Sequence, residues 1–134
     1  MELDWLAIVA ATVVGMVVAG TWYGKAFTTL WSSLTGVAAA DSQKASRRNM
    51  TQLLVANGMT AVGLTAGIKV TSMAVGNGSV WLALLVGFAA WLAFSASTLI
   101  QHNAFELKPP QLTMLNSAYQ LVLFLGMALT IGVM

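Results

Sequence analysis

Charge is confined to a few short stretches of this chain, and the gaps between them decide what it can fold into. Residues 5–24, 49–68, 70–105 and 109–134 contain no Asp, Glu, Lys or Arg. An ionised side chain at mid-bilayer costs about 2.5–3.5 kcal/mol on insertion scales, so uncharged runs of this length are what a membrane selects. Hydrophobic residues make up 58% of the chain and charged ones 7%, with a mean hydropathy of +0.81. A soluble domain carries about 25% charged residues, and one as apolar as this could not clothe its own surface. With 134 residues, one integral membrane domain over 1–134 is expected.

A spanning helix needs about 20 residues at about 1.5 Å rise. The runs predict an all-α, antiparallel bundle of four transmembrane helices. The first covers about 4–23, with Asp4 as N-cap. The second covers about 50–75 and contains Lys69, and Gly76-Asn77-Gly78-Ser79 then signals a tight turn. The third covers about 80–103. Pro109-Pro110 breaks the chain and opens the fourth, about 111–133. None of these stretches alternates with period two, which argues against a barrel.

Basic residues orient the crossings. The first connector holds Lys25, Lys44, Arg47 and Arg48, and the third holds Lys108, whereas the second turn holds none. The positive-inside rule places both basic connectors in the cytoplasm and both termini outside it, in a bacterial inner membrane. Lys44, Arg47 and Arg48 sit where anionic headgroups would attract them. The same rule explains the net charge of +2 without any nucleic acid. Met1-Glu2-Leu3-Asp4 offers no basic residue before the apolar run, which argues against a cleaved signal peptide. Lys69 falls toward the outer end of the second helix. It is expected to snorkel to the headgroups, and the competing reading is an inward-facing ion or proton site.

Phe27, Leu30, Trp31 and Leu34 recur at helical spacing, with Thr and Ser between them. This predicts a short amphipathic helix over about 26–35. It either lies in the membrane interface or tucks under the bundle.

Helices in lipid associate where small residues allow close approach. Ala11, Gly15 and Ala19, then Gly20 with Gly24, mark the first helix. Gly63 and Gly67 mark the second, and Ala89, Ala93 and Ser97 the third. These seams either hold the chain's own bundle, the favoured use, or pair it with another copy.

On this topology the hydrogen-bonding groups collect toward the cytoplasmic side. They are Trp22 and Tyr23, Gln52 and Asn57, Thr98, Gln101, His102 and Asn103 with Glu106 beyond them, and Asn116, Tyr119 and Gln120. The favoured reading is structural, with amides and a tyrosine tying helices together at roughly 1 kcal/mol each. The alternative is a polar vestibule of an oligomeric small-solute or ion transporter, with His102 and Glu106 as its titratable pair. Haem or another cofactor held by His102 ranks third.

No enzyme signature is present. There is no cysteine, so thiolate chemistry and Cys-based metal sites are excluded. No Gly-rich phosphate loop or His-Glu-x-x-His occurs, and no nucleophile, base and orienter fall within reach of one another. No catalytic residue, metal or cofactor is assigned.

Two stretches carry a resemblance. One is Trp22-Tyr23-Gly24 with Phe27, Trp31 and Gly36. The other is Trp91 and Phe94, then Phe105-Glu106-x-Lys108-Pro109, then Asn116, Tyr119 and Leu121. Together they resemble a family of small bacterial four-helix membrane proteins catalogued as a domain of unknown function. The resemblance implies four crossings and supplies no activity. The expected role is that of a non-enzymatic structural or accessory subunit. Its partners are the bilayer and either further copies of itself or a larger membrane complex.

Overall fold

The structure is a computed structural model that describes residues 4–23, 28–35, 46–76 and 78–134. Among them every regular element is helical. The helices are α1 (Trp5–Thr21), α2 (Thr28–Thr35), α3 (Ser46–Val75), α4 (Val80–Ala90), α5 (Ser97–Phe105) and α6 (Pro110–Val133). A wider π-helical segment, Trp91–Ala96, joins α4 to α5 without a break.

Three stretches are long and apolar enough to cross a membrane: Met50–Val75, Val80–Phe105 and Pro110–Val133. The apolar helix α1 is shorter, at 17 residues. Large apolar side chains such as Val9, Val13, Val17, Leu54, Leu85 and Leu92 point outward. In water this would be a liability, whereas in lipid it is the expected exterior.

Local chemistry sets the helix ends. The Asp4 carboxylate accepts from the Ala7 N–H at 3.1 Å, capping α1. Gly76 turns the chain at φ +75°, a conformation open to glycine. The Ser79 hydroxyl then accepts from Leu82 N–H at 3.2 Å to start α4. At the end of α5 the Leu107 N–H donates to Ala104 O at 3.2 Å and the Lys108 N–H to Asn103 O at 2.9 Å. That pair of bonds is a Schellman closure. Its left-handed position is filled by Leu107 at φ +56°, where glycine is usual. Pro109 follows, and Pro110 occupies the first turn of α6.

The π segment departs from the uniform helix expected over 80–103. Here the Trp91 indole N–H donates to the Ser117 carbonyl of α6 at 2.9 Å. The Ser97 and Thr98 hydroxyls bond back to the carbonyls of Ala93 and Phe94. Side chains that engage helix carbonyls, together with one anchored to a neighbouring helix, favour such widened turns.

Helix α6 is the centre of the packing. It contacts α1 and α4 most extensively, and also α2, α3 and α5. Its residues Leu112, Leu115, Tyr119, Leu123, Met127 and Ala128 are buried. Ile8, Ala11 and Ala19 of α1, Ala61, Leu64 and Ile68 of α3, and Ala83 of α4 close around that stripe.

Candidate functional site

The polar side chains of the sequence divide into those the fold gathers and those it leaves outside. Tyr23, just past the end of α1, donates its hydroxyl to Asn116 Oδ1 at 2.5 Å. Its ring lies 4.8 Å from Tyr119 and meets Trp31 of α2 edge-on at 6.1 Å. Trp22 packs 6.3 Å from Tyr119. The end of α1, the short helix α2 and the first turns of α6 thus meet in one aromatic and amide knot. Next to it Trp91 holds the Ser117 carbonyl. Near the start of α6, buried Asn103 donates to Thr113 at 3.0 Å. Each bond joins two elements, and none presents a free acid or base to a cleft.

Asn57 of α3 is buried against α1, where its amide donates to the Met16 sulfur at 3.2 Å. Gln120 is half-buried on α6. Gln52, Gln101, His102 and Glu106 are exposed and do not join the knot. Glu106 instead forms a surface pair with Lys108 at 3.1 Å. The face expected to carry His102 and Glu106 into a vestibule points outward, because the buried side of α5 is the Asn103 side. No three His, Cys, Asp or Glu among the described residues cluster as metal ligands. Lys44 and the Arg47 side chain lie outside the described residues, and Arg48 is exposed. Sequence spacing gave no sign of the pairings of Trp91 with Ser117 and of Asn103 with Thr113. These bonds run across or around the α5–α6 turn, and helical periodicity does not encode them.

The small-residue seams also divide. Ala11, Gly15 and Ala19 are buried, and a Cβ on Gly15 would sit 2.5 Å from Met127 Cε and 3.0 Å from Asn57 Cγ. Gly20 and Gly63 have no atom within 4 Å of such a Cβ, and Gly67 has only Val86 Cγ1 at 3.8 Å. The expected intramolecular seam on α3 is therefore open at Gly63 and met by α4 only at Gly67. The closest approaches are made by Gly87 against Ala128 and Phe124 and by Gly132 against Ala83. Gly24 and Phe27 lie outside the described residues.

This seam lines a groove of about 600 Å³ between α3 and the α4–π run, with Gly63, Gly67 and Thr71 on one wall, Ala89 and Ala93 on the other, and Phe94 beside them.

No curated protein and no solved structure matches the chain. One family does, over residues 6–132, and its description is "Protein of unknown function (DUF1761)". That match covers nearly all of α1 to α6, the same helices that build the aromatic knot and the groove, and the chain belongs to this DUF1761 family.

Proposed function

We propose that the protein is a non-enzymatic subunit of the bacterial inner membrane that pairs with a second copy through the groove between α3 and the α4–π run. The observation that supports this is the groove itself. Gly63 meets no described atom of the chain's own helices, and Gly67, four residues on, meets only the tip of Val86. In lipid, such spacing lets two helix backbones approach closely. A two-fold contact sets the same patch on both partners. Phe94, 74% exposed beside the groove, supplies an apolar knob for the other copy.

In this reading α1 is the fourth crossing of an antiparallel bundle. Its 17 residues span about 25 Å, somewhat less than the hydrocarbon core of about 30 Å. The wider turn at Trp22 and Tyr23 extends it to the interface, where aromatic residues anchor helices. The basic connectors face the cytoplasm and both termini face away from it. The aromatic knot braces the cytoplasmic side.

The absence of cysteine makes the test clean. Gly63→Cys in native membranes should give a disulfide-linked dimer on mild oxidation, because the new side chain meets open space. Val13→Cys, exposed on the far helix α1, should give none. Equal cross-linking at both positions, or none at Gly63, overturns the assignment.

A further inference from the structure

At the opposite end of the molecule from the aromatic knot lies a second cavity, of about 370 Å³, gathered from the start of α1, the end of α3, the start of α4 and the end of α6. Its lining is apolar in part, with Ile68 and Leu82, but it also holds Asp4, Lys69 and Thr65. We propose that this cavity binds a phosphoethanolamine zwitterion, its phosphate against Lys69 and Thr65 and its ammonium against Asp4.

Three independent features converge on that chemistry. First, Lys69 is half-buried and forms no ion pair with a described residue; the one ion pair among the described residues is Glu106 with Lys108. Asp4 lines the same cavity without bonding Lys69. One unpaired cation and one carboxylate on a shared lining complement a ligand that carries both charges. A simple anion would leave Asp4 repelling it, and a simple cation would leave Lys69 doing the same.

Second, the Thr65 hydroxyl is buried without a partner in a residue only 3% exposed. Thr12, Thr35, Thr60, Thr71, Thr98 and Thr130 all donate back to the carbonyl four residues earlier. Thr65 departs from that habit at the cavity. A buried hydroxyl normally finds a partner, and a phosphate oxygen would supply it.

Third, the cavity adjoins the start of α4 at Ser79, where first-turn N–H groups favour an anion. Lys69 lies six residues before the end of α3, about 9 Å along the axis. That is a depth at which a headgroup phosphate can be met while Ile68 and Leu82 receive the adjoining apolar part of a lipid.

The shared chemistry has two sources: the headgroup of phosphatidylethanolamine, or free phosphoethanolamine. The full-length protein, purified in a maltoside detergent, would be titrated calorimetrically with dihexanoyl phosphatidylethanolamine, with phosphoethanolamine, and with dihexanoyl phosphatidylglycerol. Saturable binding of the ethanolamine lipid is expected, weakened about tenfold or more by Lys69→Gln and by Thr65→Val. Asp4→Asn, which keeps an N-cap side chain, should weaken the ethanolamine lipid and, by removing a repulsion, strengthen any binding of the glycerol lipid. Lys69→Arg should retain binding, which separates loss of charge from loss of fold. Binding of phosphoethanolamine as tight as that of the lipid identifies a soluble ligand, and binding of the lipid alone identifies the bilayer. The proposal is overturned if the ethanolamine lipid binds no better than the glycerol lipid, or if Lys69→Gln and Asp4→Asn leave its affinity unchanged.

Discussion

The Tyr23 hydroxyl and the Asn116 side-chain oxygen meet at 2.5 Å across 93 residues of sequence, tying the end of α1 to the first turns of α6. Tyr23→Phe removes the donor and leaves the ring packing in place. It should lower stability by about 1 kcal/mol, and its coupling to Asn116→Ala in a double-mutant cycle should be about 0.6–1.7 kcal/mol. Unfolding of the purified protein in mixed micelles measures both. A coupling near zero would mean that the bond contributes nothing.

Glycine-to-alanine substitutions should differ in sign from helix to helix. At Gly87 the new Cβ would fall 2.7 Å from Ala128 Cβ and 3.2 Å from the Phe124 carbonyl oxygen, neither of which can swing aside. Overpacking of this kind costs about 1–3 kcal/mol. At Gly20 nothing lies within 4 Å, so alanine should raise stability by up to about 1 kcal/mol through helix propensity alone. The same micelle unfolding series compares the two, and a common sign would refute the packing assignment.

Leu107 holds the left-handed position of the α5 closure at φ +56°, and its side chain is 90% exposed. Leu107→Gly therefore relieves backbone strain and removes little packing. Stability should rise by about 0.5–1 kcal/mol, less than the full left-handed penalty because glycine also frees the unfolded chain. Leu107→Ala, which keeps a Cβ, should show no such gain.

Glu106 and Lys108 are paired at 3.1 Å with both side chains about half exposed. Such pairs contribute about 0–1 kcal/mol. Glu106→Gln should therefore leave the thermal midpoint nearly unchanged in low and high salt. His102→Ala, on an exposed position of the same helix, should behave alike. A marked loss of stability from either would show that these side chains hold a contact the fold does not display.

Much of the helical layout was legible because it follows from one physical demand. Ionised groups are excluded from lipid, so uncharged runs and the Gly76 and Pro109 breaks marked the long helices, and Asp4 announced itself as a cap. Which small residues pack was not legible. Gly15 and Gly63 look alike in sequence, since four-residue spacing says that two backbones can approach, never which two. Gly87 and Gly132 are tight because Ala128 and Ala83 happen to face them, a relation between helices rather than a pattern within one. His102 and Glu106 stand apart from the gathered polar set for a similar reason. Spacing placed them on one face, but Asn103 turned a different face of α5 inward. The widened segment at Trp91 depends on a bond to Ser117, 26 residues away, which no local periodicity encodes.

Helix α6, on which α1 and α4 both lean, follows all of them in the order of synthesis. Until it emerges from the ribosome, Gly87 has no surface to meet, and Gly15 has only Asn57 of α3. The earlier helices can pair with one another before then, α1 with α3 above all, but closure of the core becomes a late event, completed only after translation has delivered its central strut.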